Sequence, residues 1–456
     1  MYSYSSCLYP LSSTQRSSNK TLCVQYANIM GLSEQLHLTG SQYSHASAAF
    51  YIAVLIFSLA NVWLLNRLPV AKCLGVDLLG WGLATACHAA LRGYAGLAAL
   101  RVVSGAFESG VPPALMLLCS QYFTYGEQAL RFSYWYAGMG FGQMAGGILS
   151  FAFQHVPPSA SLSGWRTMFV IIGLVTAALG TLILLFVPDT PMQARFLTTG
   201  EKVALLDHVA VNQTGIGDRQ FKPRQLLEGL RDPGCWAFFL IVVLHASGSG
   251  VVTAYSAVLL TSFGYAPQHA ALLNIPSGAV NILATLAYGY AVRRGCARWL
   301  VCSLAGAAGT LGACLLAFAP HTHKAALLAG IYLINLMPGA TVVVFQWRAC
   351  NTAGHTKRAY ATAGMGAAFA VGNIIGPETF QARHAPEYRP AKLTLVAMWA
   401  TSILVVVLCR FYFVAENKTR DNETDGGGGG SEGEVVLEVA YAGLTDKENR
   451  RFRYHL

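Results

Sequence analysis

The sequence predicts an all-helical protein that crosses a lipid bilayer many times, and three observations point there. Of 456 residues, 54% are apolar and only 11% are charged, against roughly 25% charged in soluble globular proteins. The mean hydropathy is positive, +0.44. The apolar residues fall in long runs bounded by charge, proline or polar clusters, and a helix needs about 20 apolar residues at 1.5 Å rise each to span a bilayer. The 31 Lys and Arg punctuate the ends of those runs, so the net charge of +10 marks loops and not a nucleic-acid surface. A soluble enzyme, a nucleic-acid binder and a disordered chain are excluded.

In chain order the spans are expected near 43–65, 73–91, 97–122, 132–154, 167–187, 235–260, 270–292, 299–319, 325–347, 360–382 and 393–414. Glycine and other small residues run through them, as helices packed by close backbone approach require. A membrane β-barrel would show short alternating strands instead. Between the fifth and sixth spans lies a polar segment, 188–234, that includes Asp189, Arg195, Glu201, Lys202, Asp207, Asp218, Arg231 and Asp232. The expected plan is therefore an N-terminal transmembrane half (43–187), a central loop (188–234), a C-terminal half (235–414) and a tail (415–456). Residues 1–42 are a Ser-rich segment with the remnant of a first helix. Five spans before the loop and six after it imply that a plan of two six-helix halves lacks one helix at the start. The apolar stretch Thr21 to Leu32 is too short to supply it. Either the chain has about eleven spans, or its true start lies upstream.

Basic residues set the expected orientation. Placing the central loop inside puts 22 Lys and Arg in inner loops and six in outer ones, so loop and tail are expected in the cytoplasm. The tail, with its Gly426 to Gly430 run, reads as a flexible linker followed by a short helix or docking peptide. The sequons at Asn212, Asn417 and Asn422 fall on the inner side, and only that at Asn19 has an open side. The eleven Cys form no C-x-x-C pair, and His321 and His323 lack a third ligand, so neither metal nor other cofactor is expected.

The most informative segment is Leu100 to Gly110, because Arg101 and Glu108 place a cation and an acid inside one apolar span. Seven residues is nearly two helical turns, which puts the two side chains on one face about 10 Å apart along the axis. Gly105, one turn from Arg101, leaves room for a ligand or a neighbouring helix. The functional reading is anion binding at Arg101 and proton binding at Glu108; the alternative is a buried ion pair that holds helices together. In span 132–154, glycines from Gly138 to Gly147 make a smooth face for rocking or for tight packing, with Gly142 and Gln143 as gating candidates. Arg67 and Lys72 flank a tight basic turn with the character of a gate, or of a topology signal alone. In the second half, His245 and Asn281 are further substrate-binding candidates among polar residues that include Thr253, Asn274, Asn335, Gln346 and Asn373. Each of these also suits bonding between helices.

Ordered pieces of sequence carry a family resemblance: NKTLCVQYANIMGL, HLTGSQYS, RLPVAKCLGV, GLAALRVVSGAFESG, SGWR at 163–166, VPDTPMQARFLT, LRDPGCW, LLNIPSGAV, AGHTKR, VGNIIGP, RFYFVAENKTRD and LTDKENRRFRY. With these the chain resembles the fungal anion:cation symporter family of the major facilitator superfamily, in its allantoate permease branch. The resemblance implies a major facilitator fold of two six-helix halves, alternating access, and plasma-membrane uptake of a small organic anion together with protons. Allantoate, ureidosuccinate and nicotinate are among the carboxylates such families carry. The Arg and Glu that related organic-anion transporters place seven residues apart correspond to Arg101 and Glu108. Asn19-Lys20 stands where family members have an Asp followed by a basic residue, so a proton site is missing there. A non-transporting sensor or degenerate paralogue of the same fold is the competing expectation. No H-E-x-x-H or G-x-S-x-G motif supports a membrane enzyme.

Overall fold

A computed structural model describes residues 19–39, 42–123, 125–155, 162–210, 222–320, 322–380, 388–424, 445–449 and 452–456. The Ser-rich stretch 1–18, the sequon at Asn212, His321 and the run Gly426 to Gly430 lie outside them. In chain order the helices are α1 (Asn19–Ile29), α2 (Leu32–Gln35), α3 (Gln42–Arg67), α4 (Val70–Cys87), α5 (Tyr94–Glu108), α6 (Val111–Tyr122), α7 (Tyr125–Phe153), α8 (Gly164–Phe186), α9 (Thr199–Ala210), α10 (Pro223–Arg231), α11 (Pro233–Ser262), α12 (Pro267–Leu273), α13 (Ile275–Arg293), α14 (Arg298–Phe318), α15 (Lys324–Ile334), α16 (Met337–Cys350), α17 (His355–Glu378) and α18 (Arg389–Thr424). Among the described residues, nine helical stretches are long and apolar enough to cross a membrane. Helices α3 and α7, of 26 and 29 residues, have the length as well.

Three spans expected to be continuous are broken, and in each a proline explains the break. The 97–122 stretch divides into α5 and α6, because Pro112 has no N–H for the Glu108 carbonyl and Pro113 none for that of Ser109. The 270–292 and 325–347 stretches divide likewise, before Pro276 and Pro338. Apolarity alone passes over such breaks, since neighbouring helices satisfy the freed backbone. At the other extreme, α18 runs ten residues beyond the expected end of its span, to Thr424, its last turns polar and clear of the apolar stretch. The central segment is not plain loop either: it contains α9 and α10.

The helices sort into two groups. Helix α4 packs on α8 and α3 on α5; on the other side α11 packs on α17 and α14 on α18. The groups are joined chiefly by α7 with α13 and α3 with α17, α7 also meeting α12 and α16, while α1 wedges between α7 and α11. The α7–α13 crossing depends on absent side chains: a Cβ on Gly140 would fall on the Gly278 carbonyl oxygen, and a Cβ on Gly278 would meet that of Gly140. Neither backbone oxygen can retreat as a flexible side chain could. Gly140→Val is therefore expected to cost about 1–3 kcal/mol by overpacking, read as a lower melting temperature of the purified protein. Unchanged melting would show that the crossing relaxes freely.

Candidate functional site

Helix α5 starts at the end of the bundle opposite the central segment and carries Arg101 about 10 Å inward at 1.5 Å per residue. There Arg101 is only 2% exposed. Its guanidinium lies over the Phe50 ring of α3, 5.0 Å from the centroid. A cation over an aromatic face keeps part of the stabilisation it loses on leaving water. The close approach of α3 comes from Gly105, where a Cβ would fall on the Phe50 carbonyl oxygen. Glu108 is the last residue of α5, half-buried, at the break before α6. Arg101 and Glu108 thus share the broken helix third from the end of the first group. The equivalent helix of the second group, α15–α16, is broken as well, and paired interruptions of this kind mark the sites of membrane carriers.

A buried polar network joins the two groups through α1, α7 and α11. Gln143 of α7 donates through Nε2 to Asn274 Oδ1 at 2.9 Å, and Asn274 Nδ2 donates to the Tyr26 hydroxyl at 2.9 Å and to Ser256 Oγ at 3.0 Å. Tyr26 in turn donates to the Gln143 carbonyl at 2.8 Å, and Gln25 Oε1 accepts from Ser256 Oγ at 3.2 Å. Nearer the end of the bundle, Ser44 and Tyr255 share a hydroxyl contact of 2.7 Å, Tyr43 meets Tyr255 edge-on, Tyr255 stacks on Phe380, and His45 lies 4.0 Å from Glu378. This end of the bundle is closed between the groups. Tyr26→Phe removes the hydroxyl at the centre of the network, where a lost partner costs about 1–3 kcal/mol. Labelling of a Ser44→Cys reporter by a membrane-impermeant thiol reagent is expected to speed up about tenfold in that background. An equal rate would show that Tyr26 does not hold the closure.

The other residues singled out in the sequence lie on α3, α4, α7, α11 and α13. Arg67 is exposed at the end of α3. Lys72 bonds within its own group, its N–H to Asp189 Oδ1 at 3.2 Å and its ammonium to the Leu184 carbonyl, so it fastens α4 to α8. Gly142 is buried in α7. His245 is buried in α11 with neither ring nitrogen hydrogen-bonded among the described residues. Asn281 is buried in α13, its carbonyl and side-chain oxygens facing Thr285 Oγ1 at 2.8 and 3.4 Å.

Three features escaped the sequence. Gln25 and Tyr26 sit on a helix too short to read as a span, and tertiary packing alone buries them. Asp77 of α4, 8% exposed beside Gly110, is a second carboxyl at membrane depth in the first group; its position inside the 73–91 run was the available signal. Glu378 likewise ends an apolar helix unremarked.

A family model for the Major Facilitator Superfamily matches residues 21–377. The thiamine pathway transporter THI73 of Saccharomyces cerevisiae is 32% identical over 434 residues, which cover 94% of this chain and 81% of that protein. The allantoate permease of the same yeast is 33% identical over 442 residues, with coverages of 94% and 81%. A crystal structure of a bacterial homologue of the human lysosomal transporter Spinster, inward-facing and occupied, matches with a TM-score of 0.66 over 90% of this chain and 97% of that one. At 13% identity that likeness speaks for the fold alone. The resemblance carried by the motifs, the helical architecture and these relatives agree: the chain belongs to the major facilitator superfamily, as a multi-pass membrane transporter, not an enzyme, related to the fungal allantoate permease and thiamine pathway transporter.

Proposed function

We propose that the protein is a proton-coupled uptake carrier for a small organic anion in the plasma membrane, with the central segment and tail on the cytoplasmic side. The supporting observation is Arg101, a cation held inside the bundle where charge is costly and normally serves a pathway. Its planar fork suits a carboxylate, which can accept two parallel N–H bonds, and the name of the allantoate permease gives a carboxylate substrate to one relative. Glu108, seven residues on, is the group proposed to take up and release the proton. Arg67, Lys72, Gly142 and Gln143 are read as parts of the gates, and His245 and Asn281 as the second group's contribution to the cavity. In that orientation the end joined by Ser44, Tyr255 and Phe380 faces outward. Helix α1 is read as the outer end of a first transmembrane helix, followed by eleven spans. The competing reading, a non-transporting sensor, draws on Asn19, which cannot exchange a proton. Thermal shift of the purified protein with allantoate, ureidosuccinate and nicotinate tests the site: at least one is expected to raise the melting temperature of the wild-type chain and not of Arg101→Ala. Equal shifts in both would remove Arg101 from the site.

A further inference from the structure

The tail segment folds back onto the central-segment end of the second helix group. Thr445 to Asn449 form a turn closed by reciprocal bonds, Thr445 N–H to Glu448 Oε2 at 2.9 Å and Glu448 N–H to Thr445 Oγ1 at 3.1 Å, the pattern of a capping box. The turn inserts Asp446, fully buried, against the equally buried Lys357 ammonium at 2.8 Å. The same ammonium meets Glu228 at 2.8 Å and Asp232 at 3.1 Å, so one lysine at the start of α17 gathers α10, the start of α11 and the tail. Arg420 of α18 donates to the carbonyls of Asp446 and Phe452 at 2.9 and 2.8 Å.

Farther along, Tyr454 stacks on Phe413 and donates to Asp446 Oδ2 at 2.8 Å. Its backbone N–H and carbonyl pair with the Asn417 side chain, both at 2.9 Å. The backbone of His455 pairs with Asn351 at 2.7 and 2.9 Å, and its carbonyl also accepts from the Trp347 indole. These are the bonds of a peptide seated in a shaped site, with main-chain groups read by Asn side chains and one aromatic anchor. Burial works against ionisation of Asp232, yet Lys357, Arg348 and Lys447 together hold its carboxyl below the usual 3.8. That pairing is present above the ordinary carboxylate value and is lost as pH falls through the folded one.

We propose that this end of the second helix group is a binding site for the chain's own segment 445–456, and that occupancy of the site switches the carrier on. All the partners above belong to α10 and the helices after it, so the segment does not tie the two groups together. It fastens α16, α17 and α18 into one body. Helix α17 runs from Lys357 in this cluster to Glu378 opposite His45 in the closed gate, so slack at one end reaches the other. With the segment gone, Asn351, Asn417, Arg420 and the Trp347 indole lose buried partners, which leaves the helix ends unfastened.

The test starts from the full chain. A site-specific protease sequence is placed within the Gly426 to Gly430 run, and the folded, purified protein is cut. The fragment is expected to stay with the helix bundle on size exclusion and to be displaced by excess synthetic peptide 445–456. The same peptide with Asp446→Asn should displace at least tenfold less well, because it lacks the charged partner of Lys357. The stripped protein should melt at a lower temperature and lose uptake, and added peptide should restore both. Immediate loss of the fragment on cutting, or equal potency of the two peptides, would overturn the binding site; unchanged melting and uptake after stripping would overturn the switch. Only the uptake arm rests on the proposed function, since retention, displacement and melting involve no transported substrate.

Discussion

Arg101→Lys is expected to raise the half-saturating anion concentration for uptake about ten- to hundredfold while leaving the protein folded. Lysine keeps the charge but offers a compact, strongly hydrated ammonium in place of a planar fork, so a bidentate carboxylate contact becomes a single one. Hydrogen bonds to charged groups are worth about 1.5–3 kcal/mol each, and 1.4 kcal/mol corresponds to tenfold. The contact with Phe50 at 5.0 Å also favours the flat guanidinium. A purely structural role predicts a different pattern: lower melting temperature, with kinetics unchanged in the protein that folds. Uptake kinetics and melting curves on the same preparations separate the two.

Glu108→Gln is expected to abolish accumulation driven by a proton gradient while exchange of external for internal anion continues. Glutamine keeps the size and much of the hydrogen bonding but cannot titrate, so the coupled step fails while the binding step survives. The placement of Glu108 supports this choice: it is half-buried at the end of α5, beside the proline break. Asp77, buried beside Gly110 a short distance along the chain, is the natural second candidate. Full gradient-driven accumulation by Glu108→Gln would move the coupling role away from Glu108.

What the sequence made legible was local. Arg101 and Glu108 stand out because seven residues on a helix is nearly two turns, so spacing alone puts both on one face. The spans were legible because lipid forces long apolar runs. The breaks at Pro112, Pro276 and Pro338 were not, since apolarity continues across them and only tertiary neighbours decide whether a membrane proline kinks or splits its helix. Helix α1 was hidden for a related reason: its 11 residues gain their burial from α7 and α11, not from their own composition. The Lys357, Asp232 and Asp446 cluster was beyond reach, because each reads as an ordinary loop charge and 89 residues separate Lys357 from Asp446. The closing pair Tyr43 and Tyr255 shows the same limit.

Purified protein reconstituted alone into liposomes, with an imposed inward proton gradient and radiolabelled allantoate, ureidosuccinate and nicotinate offered one at a time, tests the proposed function most directly. The account predicts that at least one anion accumulates above its external concentration, that a protonophore collapses the accumulation, and that Arg101→Ala shows none. Accumulation of none of the three under the gradient by protein whose folding is verified on the same preparation, or accumulation indifferent to the protonophore, would contradict it.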